Sequence, residues 1–216
     1  MTFRHHRPAD RETYHHGNLR EALIETVLDL IAKHGPTGFS FADVARAAGV
    51  SPAAPYRHFR DRDDLLAEVA RRGFERFASD LDAAWNEGRP DPIAAMEACG
   101  RAYLAFARRE PAAYAAMFGA GRPADDDPGL RAAGERAFAV LRRAAEAIAV
   151  TYPGPNRPPA LMIALHIWAE AHGIASLFAG PGHLRRALPM SPEELLEAAL
   201  LIYLQGLGSP PRGGAP

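Results

Sequence analysis

The chain has 216 residues, 48% of them hydrophobic, with 25 Lys+Arg against 26 Asp+Glu and a formal net charge of −1. That is enough chain for a small head and a larger body with buried interiors. The single cysteine, Cys99, excludes an internal disulfide and a thiolate zinc centre, and it fits a reducing cytoplasm as a small buried side chain.

Charge is unevenly spread. Residues 1–60 hold 8 Lys+Arg against 6 Asp+Glu, and six of the nine histidines; the remainder holds 17 against 20. This favours a basic face near the N-terminus. Residues 1–17 are polar, rich in His and Arg, and lack helical periodicity. They are expected to form a flexible arm without the apolar core of a signal peptide. Such an arm either settles on a nucleic-acid backbone or minor groove, or makes no contact. His5-His6 and His15-His16 lack the further ligands that a metal site needs.

Asn18 to about Lys33 predicts a helix with Asn18 as cap and Glu21 three residues on. Its stripe is Leu19, Ala22, Leu23, Thr26, Val27, Leu30 and Ile31, and Gly35 ends it. The stretch from Phe41 to Phe59, FADVARAAGVSPAAPYRHF, organises the rest. Ser40 caps a short helix that puts Phe41, Val44, Ala45 and Ala48 on one face. Gly49 stops it, since glycine takes a left-handed backbone cheaply. Ser51-Pro52 then reads as the cap and first turn of a second helix. Helix, tight turn, helix is a helix-turn-helix, whose second helix can enter a DNA major groove. Ala53, Ala54 and Pro55 keep its leading edge small, and Tyr56, Arg57 and His58 supply donors for phosphates or bases. Arg57 suits a bidentate contact with guanine.

Asp61 caps a long helix, with Asp64 at its third position and Leu65, Leu66, Val69, Ala70, Phe74, Phe77, Leu81 and Trp85 along its stripe. It is expected to be the sole mechanical link from head to body. Further helices follow from Pro92, from Pro111 and from Leu130 to Val150. The Asp125-Asp126-Asp127 run between them lacks calcium-loop spacing and reads as solvated charge at a helix start. Ala160 to Gly180 is apolar nearly all round, but His166, Glu170 and His172 interrupt it, so it reads as a buried helix rather than a membrane span. Ser191-Pro192-Glu193-Glu194 opens the last helix. No stretch alternates like a strand, so the fold class is all-α: a helix-turn-helix head over 18–62, a helical body over 63–208 and a disordered tail over 209–216.

The two nearly all-apolar C-terminal helices exceed what one small body can bury. They are expected to pair with a second copy about a twofold axis, with Trp168, His172, Ala175, Leu196, Leu200 and Tyr203 at the interface. An effector pocket is expected among Tyr103, Phe106, Met117, Phe138, His166 and Glu170. His166 and Glu170 are four apart and share a face, whereas His172 lies opposite, so the three do not converge on a metal. No nucleophile elbow, HExxH or dinucleotide fingerprint occurs, and no cofactor or metal is expected.

From Tyr14 to about Val69, through YHHGNLREALIETVLDLIAKHG, VSPAAPYRHF and DRDDLL, the chain resembles the tetracycline-repressor (TetR) family of transcription regulators. Trp168, His172 and Gly173 in WAEAHG resemble its WHG-type C-terminal domain. Arg62 stands where family members usually carry Lys. The resemblance implies a dimer on a palindromic double-stranded DNA operator, with Ser51–Phe59 in the major groove. It implies phosphate contacts from Ser40, Tyr56, His58 and Arg62, and base contacts from Ala53, Ala54 and Arg57. It further implies a repressor, cytoplasmic and not an enzyme, released by a small hydrophobic or amphipathic effector. An effector-independent or activating DNA binder would share every feature of the head.

Overall fold

The 3.6-residue spacing of apolar positions is realised as eight α-helices in the computed structural model, which describes residues 19–119, 127–151, 158–179 and 189–208, with no strand among them. These are α1 (Leu19–His34), α2 (Phe41–Ala47), α3 (Arg62–Trp85), α4 (Pro92–Arg109), α5 (Pro111–Gly119), α6 (Pro128–Thr151), α7 (Ala160–Ala179) and α8 (Pro192–Gly208). The expected arm, the Asn18 cap, Asp125 and Asp126, and the C-terminal tail lie outside the described residues.

Local hydrogen bonds set where the helices begin. The Asp61 carboxylate accepts from the Asp64 amide at 2.8 Å, and Asp91 accepts from Ile93 and Ala94 at 3.0 Å each, just before Pro92. Asp127 does the same for Gly129 and Leu130. Ser191 and Glu194 form a reciprocal capping box. Each cap satisfies amides that the helix itself cannot, and each stabilises by about 1 kcal/mol.

Two apolar interiors result. The head packs Leu23, Val27 and Ile31 of α1 against Val44 of α2, Phe59, and Leu65, Leu66, Val69 and Ala70 of α3. The body packs Phe77, Leu81 and Trp85 of α3 against Met96, Tyr103 and Phe106 of α4, Leu141 and Ile148 of α6, Ile163 and Ile167 of α7, and Leu196 and Leu200 of α8. Fully burying one such side chain stabilises by about 1.5–3 kcal/mol. A division at 62/63 therefore falls on the first turn of α3, and the next two turns still belong to the head's interior.

The link between the two is broader than a single helix. α5 contributes Ala116 to the head interior, with Ala112 and Ala115 packed beside it, and contributes Tyr114 to the body interior, with Met117 and Phe118 beside it. Leu130 at the start of α6 also reaches the head. This corrects the expectation that α3 alone joins head and body. A charged lattice runs alongside. Arg72 grips Glu21 of α1 with two hydrogen bonds of 2.5 and 2.6 Å and reaches Glu68 at 2.7 Å. Glu68 also accepts from Arg20 and Arg71. Arg71 continues to Glu75, which accepts from Arg136 of α6 at 3.1 Å. Burial of Glu68 would raise its pKa, but the three guanidinium groups outweigh it and hold the carboxyl at about 2.

Candidate functional site

The helix-turn-helix segment departs from expectation in its second half. α2 ends in a Schellman motif: Gly49 sits at φ +69°, its amide bonds to the Arg46 carbonyl, and the Val50 amide bonds to the Ala45 carbonyl. After it comes no α-helix but a run of turns closing in a single 3₁₀ turn, Pro55–Arg57. The two prolines explain this. Pro55 has no amide to give the Ser51 carbonyl, which takes the Ala54 amide at 2.9 Å instead. Of the following amides only Phe59 spans a full helical turn, back to Pro55. Pro55 and Phe59 are buried and peg the segment to the head, and Arg20 lies over the Phe59 ring at 5.1 Å. Most of the segment around them faces out. Ser51, Pro52, Ala53, Tyr56, Arg57 and His58 are exposed, and Ala54 is half-buried. Tyr56 leans edge-on against Phe41 with 4.9 Å between centroids, yet remains 61% exposed. Among the described residues, Arg57 and His58 make no ion pair.

Two expected phosphate contacts are already committed elsewhere. The Ser40 hydroxyl donates to Asp43 at 2.6 Å and accepts the Asp43 amide, while the Ser40 amide also bonds to Asp43. This capping box leaves Ser40 no free donor. Arg62 turns inward: its side chain is only 23% exposed, lies over Phe39 at 4.8 Å, donates to the Pro36 carbonyl and pairs with Asp63. The planar guanidinium can stack and fork at once, which an ammonium cannot. Arg62 thus fastens the loop after α1 to α3.

In the body, a cavity of about 250 Å³ is walled by Phe74 and Phe77 of α3, Phe118 of α5, Gly134, Ala137, Phe138 and Leu141 of α6, and Trp168 of α7. The rings meet at steep angles: Phe74 and Phe118 at 79°, Phe138 and Trp168 at 57°. Behind this wall lies a polar cluster. His172 Nδ1 is 2.8 Å from the Tyr114 hydroxyl and 3.1 Å from that of Tyr103, and the hydroxyls are 3.4 Å apart. Burial raises both tyrosines and lowers His172, so the hydroxyls stay protonated and the imidazole stays neutral. A neutral ring that accepts at Nδ1 carries its proton on Nε2.

Only Phe138 of the expected pocket residues stands on the cavity wall. Tyr103 and Phe106 are buried against Phe77, with centroids 4.9 and 5.0 Å away. Met117 is pressed onto Gly73, where an added Cβ would stand 2.8 Å from its sulfur. His166 and Glu170 lie on the outer side of α7, where His166 stacks on Tyr203 at 3.9 Å. They border an open groove with Ala199, Ile202, Gly206 and Leu207. A sequence signal for this wall exists: Gly134, Ala137, Phe138 and Leu141 follow the i, i+3, i+4, i+7 rule, beginning with a glycine.

The expected interface residues differ in how far they are buried. Ala175, Leu196 and Leu200 are buried within one chain, Leu196 and Leu200 lying over Gly100 of α4. His172 is held by the two tyrosines, and Trp168 is a cavity wall. Trp168 and His172 are half-buried, but Ala175, Leu196 and Leu200 have almost no surface left to offer a partner. The other sides of the same helices do have surface: Leu161, Met162, Leu165 and Leu177 of α7, and Leu201 and Ile202 of α8, are exposed. Tyr203 is half-buried beside them. α7 is long and apolar enough to cross a membrane by length and composition, but Ile163, Ala164, Ile167 and Ala171 pack into the body.

Comparison with known proteins places this geometry. Residues 23–69 match the family of bacterial regulatory proteins described as the tetR family. Residues 96–203, half of the chain, match the tetracyclin repressor-like C-terminal domain. A solved protein of unknown function from Rhodococcus sp. RHA1 is 34% identical and superposes with a TM-score of 0.74 over 92% of this chain and 100% of its own. The TetR family transcriptional regulator PfmR from Thermus thermophilus shares the fold, with a TM-score of 0.66 at 18% identity over 85% of this chain and 97% of its own. The HTH-type transcriptional regulator BetI of Brucella canis is 28% identical over 109 residues, 50% of this chain and 55% of BetI. The chain thus spans about half the length of the curated relatives it matches. With both the head and the C-terminal domain matched, this chain belongs to the TetR family of transcriptional regulators.

Proposed function

We propose that the protein is a DNA-binding repressor that acts as a homodimer and leaves its operator when a small hydrophobic or amphipathic effector enters the body. The observation that carries this reading is the exposed run Ser51–His58, pegged to the head by Pro55 and Phe59. Tyr56 and His58 serve as phosphate donors, and Arg57, beside Ala53 and Ala54, reads base edges. The apolar outer faces of α7 and α8 meet their copies across a twofold axis, so that two heads reach successive major grooves. The effector acts through α5, whose Phe118 lines the cavity and whose Ala116 sits in the head interior. A ligand that prefers one head spacing shifts operator affinity, typically by about 1–3 kcal/mol.

Fluorescence anisotropy of the purified protein on DNA from upstream of its own gene, beside scrambled DNA and across a salt series, tests the reading. Sequence-dependent binding with a steep salt slope is expected. Arg57→Ala should cost about 1–3 kcal/mol on the preferred sequence and little on scrambled DNA. Unchanged sequence preference in that variant would remove Arg57 from base reading, and equal weak binding to both DNAs would count against an operator at this location.

A further inference from the structure

We propose that the body cavity is a site for an uncharged aromatic molecule of one or two fused rings, and that Gly134 sets the size it accepts. The proposal rests on the reading of the body as an effector domain and gives that effector a chemical class.

Size comes first. An apolar cavity of about 150 Å³ holds benzene, and this one is about 250 Å³. Lining comes next. Phe74, Phe77, Phe118, Phe138 and Trp168 present rings at several angles, and Ala137 and Leu141 complete an apolar wall. Offset and edge-on ring pairs favour an aromatic guest over an aliphatic one of equal area. Among the described residues, the wall carries no carboxylate, ammonium or guanidinium. A charged guest would lose its hydration with nothing to replace it. The nearest ionisable ring, His172, sits behind Phe118 at 4.6 Å between centroids and is tied to Tyr114 and Tyr103.

Gly134 is the telling residue. It lies inside the 24-residue α6, where glycine destabilises a helix relative to alanine. Close packing does not require it, because an added Cβ would meet nothing within 4 Å. Gly134 stands on the cavity wall, and open space lies where its side chain would be.

Isothermal titration of the full-length protein at neutral pH with 1-naphthol, indole, 1-naphthoate and tetramethylammonium tests the assignment. 1-Naphthol and indole should bind, while 1-naphthoate, of nearly the same shape but anionic, should bind at least tenfold more weakly than 1-naphthol. Gly134→Leu should abolish naphthol binding while keeping the circular dichroism spectrum and raising Tm. Gly134→Ala should weaken 1-naphthol more than indole. Three results would overturn the proposal: equal binding of naphthol and naphthoate, naphthol affinity unchanged in Gly134→Leu, or binding of tetramethylammonium with none of naphthol, which would make the box a cation cage. The wider reading is judged separately by anisotropy on DNA. Naphthol that binds but leaves operator affinity unchanged would sink the effector role while leaving the site intact.

Discussion

Ile202→Lys isolates the proposed twofold interface from the fold. Ile202 is 71% exposed in a single chain. Complete burial of an isoleucine side chain stabilises by about 1.5–3 kcal/mol, so the share left for a partner is about 1–2 kcal/mol. In a twofold contact the residue counts on both sides, which gives about 2–4 kcal/mol per dimer. The dimer dissociation constant should therefore rise about 30- to 700-fold, at 1.4 kcal/mol per decade, before any cost of desolvating the lysine. The single chain should hardly respond, since exposed substitutions usually stay within about 0.5 kcal/mol. Leu196→Ala is the contrasting variant. Leu196 is 2% exposed and packed on Gly100, so the change should cost the fold about 2–5 kcal/mol. Sedimentation equilibrium over a concentration series, with circular dichroism alongside, reads both quantities. A wild-type dimer whose affinity survives Ile202→Lys would refute this placement of the interface.

Three other outcomes follow from the described contacts. Arg62→Ala should destabilise by about 2 kcal/mol through loss of the Phe39 stack and the charged bond to Pro36, lowering Tm by about 4–8 °C in calorimetry; an unchanged Tm with weakened DNA binding would restore Arg62 as a phosphate contact. Glu68 has a folded pKa of about 2 against 4.5 unfolded, so its contribution is present above about pH 4.5 and fades as the pH falls toward 2. The stability gap between wild type and Glu68→Gln in urea should accordingly be wide at pH 6 and narrow at pH 3, and a gap that ignores pH would contradict the Arg20–Glu68–Arg72 lattice. Burial pushes the Cys99 thiol up to about 12, so it should resist a thiol-specific reagent in the folded protein and react once denatured.

What was legible in the sequence was what is decided within four residues. The Asp61 cap, the Ser191–Glu194 box and the left-handed Gly49 each depend on a bond between near neighbours, and each stands as read. The order of the helices followed in the same way. The misread segment, Ser51–Phe59, is also local, but it held two proline effects that pull apart: Pro52 favours a helix start, whereas Pro55 denies the Ser51 carbonyl its helical partner. The surroundings of Arg62 were hidden for a different reason. Its partners Phe39 and Pro36 lie more than twenty residues upstream, and nothing within its own helix announces them.

One argument about cover bears on three helices of the body. A helix that is apolar all round must be covered on several sides. For α7 and α8 the expected cover is a second chain; of the residues expected there, Trp168, His172 and Tyr203 are half-buried, while Ala175, Leu196 and Leu200 are buried in their own body. Ala175, Leu196 and Leu200 are there because Gly100 and the neighbouring helices of the body leave a bed for them. α5, PAAYAAMFG, is just as apolar. Its cover comes from both interiors: α1 and the head on the Ala112, Ala115 and Ala116 side, the body on the Tyr114, Met117 and Phe118 side. A nine-residue helix clamped in this way cannot yield on one face without moving the other, because packed interiors shift as units. An all-apolar helix too short to span a dimer interface is therefore itself a sequence sign of a joint between two interiors, and in this chain that joint carries a cavity wall at Phe118.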